Sequence, residues 1–404
     1  MKTVIDKLSN GIELAYKKNE KTPRPTLCIN FSLNSDEKKV GIYAIMTQLF
    51  MQGTKNRTAE GIARELDLYA IDFSVDTKLD FMSFKFTCLN EDFEKALEIT
   101  SDIIKNTTFD EFEKEIEKAR GEIIAKLDSP RAKVVDLFYS TMFENHPYGH
   151  TSAKVLENLN NITKEDVIEA YQNILKTSKK VCAFVGDIGI ETVKNLLEKF
   201  LSDVIPSVNS NSLRAKPELI KAKDVEILKP DVNQAHIMKG WITPTYASPD
   251  YPSLVLLDVI LGSSGLSSRL FLELREKKGL CYVVRSHFES LELCGNFYIY
   301  IATEPKNIKT SLDGFEEEFR KIREIKISEE ELFNAKNNLF GKYEFLLETN
   351  SQQASSLAGY GIYNVGYDFL ERFKEKVEKV TPEDIMHTAQ KYFGKNSVTA
   401  ILKP

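Results

Sequence analysis

Three sets of residues in this chain carry side chains whose types and spacing could do chemistry. Arg275 and Tyr282 stand seven positions apart. A guanidinium can fork onto a peptide carbonyl or carboxylate, and a phenol can donate to the oxyanion of a tetrahedral intermediate. Glu115 and Glu122, also seven apart, fall two turns along one face of a helix. His146 and His150 are four apart, but Pro147 and Gly149 between them prevent the helical geometry that would converge two rings on a metal. Plainer readings stand beside each. Arg275 can be a helix-end arginine near its macrodipole and Tyr282 an amphipathic tyrosine in a sheet. Two glutamates in a helix as charged as 111–126 can be a solvated face, and His236, His287 and His387 are isolated in sequence.

The elements that must hold these residues follow from periodicity. Residues 11–17 and 26–33 alternate polar and apolar, as do 73–77 and 81–88, which predicts four strands. Helical spacing predicts helices over 40–51, 59–69, 91–106 and 109–127. Arg275 falls near the end of a helix from Ser268 to Lys278 that Gly279 terminates. Tyr282 opens a strand, Cys281 to Phe288, so both side chains can point one way. The stretch 262–268, Gly-Ser-Ser-Gly-Leu-Ser-Ser, lacks the lysine of a P-loop and does not fit a dinucleotide fingerprint. It reads as a turn leading into that helix, or as a flexible loop beside a substrate path.

The order of elements then returns. Ile162-Thr-Lys-Glu-Asp-Val is echoed 218 residues later by Val380-Thr-Pro-Glu-Asp-Ile, and the stretch from Glu113 to Ala119 by that from Glu329 to Ala335. The chain reads as two homologous α+β domains, 1–202 and 229–404, each a mainly antiparallel sheet with helices packed on one face. Residues 203–228 hold two prolines and few large apolar side chains, and are read as a linker.

A chain of 404 residues with 42% hydrophobic and 28% charged content is that of an ordinary globular protein. A net charge of -6 argues against nucleic acid or an anionic membrane as partner. The N-terminus has no apolar core of about seven residues for a signal peptide, and no run reaches the roughly 18 apolar residues of a membrane span. A cytoplasmic location is expected. Five widely spaced cysteines read as buried reduced thiols.

Asn10-Gly11, the stretch from Gly53 to Glu60, His146-Pro-Tyr-Gly149, Gly186-Asp187 and the stretch from Ser268 to Tyr282 resemble, in order, the landmarks of the pitrilysin/insulinase-type zinc peptidases. They resemble most the short two-domain subunits of the processing-peptidase kind. Peptide-cutting members of that family carry an inverted H-x-x-E-H on one helix, with both histidines on zinc and the glutamate activating water. Here those three places hold Ala44, Thr47 and Gln48. A methyl, a hydroxyl and an amide make no tight zinc site, and none is a carboxylate base. Glu122 matches the family's later glutamate ligand, with Glu115 beside it. The resemblance therefore implies that this chain binds no catalytic metal.

By the same resemblance, Arg275 and Tyr282 match a pair that the C-terminal domain supplies to substrate at the catalytic centre. The first expectation is a non-catalytic subunit, inactive alone, that lends this pair to a homologous H-x-x-E-H zinc partner cutting extended peptides. A homodimer in the partner's absence stays open. The second is a structural or peptide-binding scaffold without a role in proteolysis. Hydrolysis by unrelated residues has no support, since no nucleophile elbow and no spaced Cys-His pair is present.

Overall fold

The computed structural model describes residues 3–206, 214–218 and 221–404. The first half of the chain runs β1 (Val4–Lys7), β2 (Glu13–Lys18), β3 (Thr26–Ser32), α1 (Ile42–Leu49), α2 (Ala59–Leu68), β4 (Asp72–Thr77), β5 (Phe81–Thr87), α3 (Phe93–Asn106), α4 (Phe112–Asp128), α5 (Pro130–Met142), α6 (Ser152–Asn158), α7 (Lys164–Thr177), β6 (Lys180–Gly186) and α8 (Ile190–Leu201). The second runs β7 (Lys223–Leu228), β8 (Ala235–Thr243), α9 (Tyr251–Asp258), β9 (Cys281–Ser290), β10 (Gly295–Thr303), α10 (Ile308–Glu324), α11 (Glu329–Leu346), α12 (Asn350–Ile362), α13 (Phe369–Lys379), α14 (Pro382–Tyr392) and β11 (Val398–Lys403).

The α+β class holds, and so does the repeat. One sheet has the order β1-β2-β6-β3-β5-β4 and the other β7-β11-β8-β10-β9. With β1 set aside, one order maps onto the other, including the single parallel pair, β2 with β6 and β7 with β11. The echoed Thr-x-x-Asp stretches are both capping boxes. Thr163 and Thr381 each accept from the backbone N–H of the aspartate three residues on, and Asp166 and Asp384 accept from the threonine N–H in return.

Strand β7 corrects the linker reading, because Lys223–Leu228 pairs in parallel with β11. Its alternation of charged with apolar residues, exposed every second position, is that of a sheet-edge strand. Residues 207–213 and 219–220 of the expected linker lie outside the described residues.

Packing groups the chain into two units. The first comprises Met1–Glu122, Lys154–Arg214 and Phe345–Phe369, and the second Ile123–Ala153, Ala215–Glu344 and Leu370–Pro404. This differs from the sequence halves 1–202 and 229–404, because each sheet is covered on its second face by a helix from the other half. In the first unit α12 sets Ala354, Leu357 and Ala358 against Ala15, Cys28, Ala183 and Val185. As a result β3 and β6 are buried along their whole length. In the second unit α5 sets Val134, Phe138 and Met142 against Met238, Val398 and Ala400.

Helix α1 is held by Phe50 at its end, whose ring lies edge-on to Phe84 of β5 at 4.9 Å and to Tyr171 of α7 at 5.0 Å. Such pairs contribute about 0.5–1.5 kcal/mol each beyond the area they bury. All five cysteines are free, and four of them are buried.

Candidate functional site

The degenerate helix is α1, in the first unit. Ala44 is exposed on it. Thr47 Oγ1 donates to the carbonyl of Tyr43 at 2.8 Å and meets Thr77 Oγ1 of strand β4. Gln48 Nε2 donates to Glu122 Oε2 at 3.2 Å, while Gln48 Oε1 is buried without a partner. The structure thus brings Gln48 and Glu122 together, from α1 and α4, at facing positions. Glu115 and Glu122 share α4 but not an environment. Glu115 is only 2% exposed and its Oε2 accepts from Lys118 at 3.3 Å, so the solvated-face reading fits Glu122 alone.

Two landmark stretches prove to be architectural. Arg57 reaches Glu65, Glu98 and Asp102 at 3.0, 2.6 and 2.8 Å. Asp102 also accepts from Thr54, Asn56 and Asn106. This network ties the turn after α1 to α3, and its members are spread too widely in sequence to be grouped by spacing. His146 has both ring nitrogens engaged, with Nδ1 accepting from the Tyr148 N–H at 3.1 Å and Nε2 lying 2.9 Å from the Ala215 carbonyl. It is therefore a structural histidine.

In the second unit the helix expected from Ser268 to Lys278 is mostly π-helical, over Phe271–Lys277, and a second π-helical stretch covers Val259–Ser263. Such widened turns recur at functional sites. Gly279, with φ +60°, ends the helix as expected, its N–H reaching the Arg275 carbonyl at 3.1 Å as in an αL cap, and the Leu280 N–H reaches back to the Leu274 carbonyl at 2.9 Å. That reversal brings Tyr282 back over Arg275. The guanidinium carbon lies 4.7 Å from the ring centre of Tyr282 and 4.7 Å from that of Phe271, one turn earlier. Phe271 is the member that spacing rules should have found, being four residues before Arg275 on a helical face. Tyr282 is 77% exposed. Among the described residues, neither the guanidinium nor the phenol makes a hydrogen bond or ion pair.

The stretch 262–268 is a helix-leading turn, with a short 3-10 segment at Gly265–Ser267. Gly262 packs so closely on β9 that a Cβ there would stand 2.1 Å from the Ser286 nitrogen. Beside it, Ser286 Oγ lies 2.5 Å from Asp258 Oδ1, and burial pushes that carboxyl above its usual range. The lock fixes β9, and with it Tyr282, against the π-helical turn.

The chain matches two family descriptions in succession, "Insulinase (Peptidase family M16)" over residues 12–155 and "Peptidase M16 inactive domain" over residues 161–339. It belongs to the M16 peptidase family. A relative in Rickettsia felis, named an uncharacterized zinc protease, is 27% identical over 377 residues, covering 92% of this chain and 89% of that one. Another of the same description in Bacillus subtilis is 25% identical, covering 90% and 88%. A solved Helicobacter pylori protease superposes with a TM-score of 0.91 at 23% identity, covering 100% of this chain and 99% of that one. The fold is therefore that of M16 proteins throughout.

M16 membership implies zinc on α1, and the residues there do not fit it. Zinc takes nitrogen, sulfur or carboxylate donors, with three from the protein even in an open catalytic site. The facing positions supply one carboxylate, Glu122, which already accepts from the Gln48 amide. The hydroxyl of Thr47 is spent on a backbone carbonyl. By the chemistry of its donors this is a non-catalytic M16 member. No helix among the described residues is long and apolar enough to cross a membrane.

Proposed function

We propose that this chain is the non-catalytic subunit of a cytoplasmic heterodimeric zinc peptidase, and that Arg275 and Tyr282 act on peptide bound at a homologous H-x-x-E-H partner. The zinc belongs to that partner. The observation that carries the reading is the state of Arg275. Its guanidinium is stacked between Phe271 and Tyr282, and so held in one orientation, while its hydrogen-bond donors have no partner in the protein. An arginine kept only for structure would be expected to pair with a carboxylate, as Arg57 and Arg269 do. Preorganised, unspent donors beside an exposed phenol suit a substrate carbonyl or a developing oxyanion. The substrate is an extended peptide.

The test is cleavage of a quenched-fluorescent peptide by this chain, by an H-x-x-E-H homologue from the same genome, and by both with zinc. The reading predicts activity in the mixture alone, lost with Arg275→Ala or Tyr282→Phe while the complex still forms. A mixture no better than the homologue, or two chains that never associate, overturns it in favour of a scaffold.

A further inference from the structure

On the face of the second sheet that α5 covers, two more arginines carry guanidinium donors unused among the described residues. Arg131, in the first turn of α5, places its guanidinium carbon 5.3 Å from the ring centre of Tyr300. Arg285 on β9 stands directly opposite Tyr300 in the register with β10, so its side chain rises beside the same ring. Tyr300 Oη and His236 Nδ1 are 2.8 Å apart, and His236 is 9% exposed. Among the described residues neither Arg131 nor Arg285 makes a hydrogen bond or ion pair.

The two arginines act on the same groups. Burial raises the phenol pKa of Tyr300 and Tyr298, and both arginines pull those values back down. His236 is held below its usual value by burial first and by Arg131 second, so at neutral pH it adds hydrogen-bonding capacity without charge. Glu289, on the same face of β9, accepts from Asn296 at 3.4 Å and is the acid closest along the strand. Two fixed cations offset by one neighbouring acid favour a singly charged ligand over a phosphate dianion. Two planar forks beside a phenol suit the flat, two-oxygen geometry of a carboxylate.

We propose that Arg131 and Arg285, with Tyr300 and His236 as their floor, form a receptor for a carboxylate of a bound peptide, either its C-terminus or an acidic side chain. The ring of Tyr300 supplies an apolar surface for the carbon atoms beside the carboxylate. Arg285 lies on β9, the last strand of its sheet. A peptide running along that edge would therefore pass the site.

The site belongs to this chain alone, so its test needs no partner subunit and is independent of the outcome of the mixing experiment. Fluorescence anisotropy would compare three labelled peptides on the full chain: one without acidic residues and C-terminally amidated, the same with a free C-terminus, and the amidated form with one glutamate. At least one carboxylate-bearing peptide is expected to bind about tenfold tighter than the capped one. Which of the two does so identifies the source of the carboxylate. Arg131→Gln with Arg285→Gln should erase the difference and leave the capped peptide unchanged, whereas Arg64→Gln, an exposed charge on α2, should preserve it. Equal binding of all three peptides overturns the inference, as does a preference that survives the double substitution, or no binding by about 1 mM peptide.

Discussion

Gln48 and Glu122 face each other across α1 and α4, with the amide donating to the carboxylate at 3.2 Å. The amide N–H occupies the place beside Glu122 that a cation would otherwise take. The two helices therefore present an amide and one carboxylate to each other at positions that the family resemblance equates with zinc ligands. Ala44→His, Thr47→Glu and Gln48→His together should restore a three-ligand site with Glu122, binding one zinc per chain with a Kd below about 1 µM, as read by titration calorimetry. The unaltered chain should show no such binding. Absence of zinc uptake in a folded triple variant would mean that Glu122 is not aimed as the geometry indicates.

Arg275 and Tyr282 should separate activity from stability. Tyr282 is exposed and Arg275 half-buried with no hydrogen bond or ion pair among the described residues, so Arg275→Ala should change unfolding free energy by no more than about 1 kcal/mol. It should lower kcat of the mixed complex by about 100-fold or more, the usual cost of removing a donor from a developing oxyanion. Phe271→Leu, which loosens the stack and thins a buried contact, should cost less activity, and Arg275→Lys should not rescue, because a lysine cannot fork.

The network around Arg57 should dominate stability in the first unit. Asp102→Ala removes the buried carboxylate that accepts from Thr54, Asn56, Asn106 and Arg57, leaving Arg57 paired with Glu65 and Glu98 alone, and should destabilise by about 1–3 kcal/mol in urea unfolding. Burial by itself raises the Asp102 pKa, but hydrogen bonds from Thr54, Asn106, Arg57 and Asn56 outweigh it and hold the carboxyl below the usual range. Its stabilisation is therefore complete above the unfolded pKa of about 3.9 and is lost as pH falls through the lower folded value. Asp102→Asn should flatten that acid limb.

Lys180 should add a slope of the same sign in the alkaline range. It is fully buried in β6, near the carbonyls of Ser178 and Pro206 at 3.2 and 3.1 Å, and burial lowers its pKa to about 8. Between that value and the unfolded pKa of about 10.4 the unfolded chain binds more protons, so stability should rise with pH. The rise is at most about 1.4 kcal/mol per pH unit and should vanish in Lys180→Met.

Much of this protein was legible before folding, for a local reason. Capping boxes at Thr163 and Thr381, the αL stop at Gly279 and the missing donors at Ala44, Thr47 and Gln48 depend on residues a few positions apart. Spacing along one helix or turn is enough to read them. The strand at Lys223–Leu228 was hidden by its charged edge pattern. The groupings on which the proposals rest were decided only in three dimensions. Gln48 meets Glu122, Arg131 meets Tyr300, and α5 and α12 each cover the sheet built by the other half of the sequence, across separations that no local period records. The sequence alone showed which zinc donors Ala44, Thr47 and Gln48 do not supply, because ligand chemistry is a property of residue type. Which arginines stand unpaired is a property of neighbours, and only the tertiary structure supplies those.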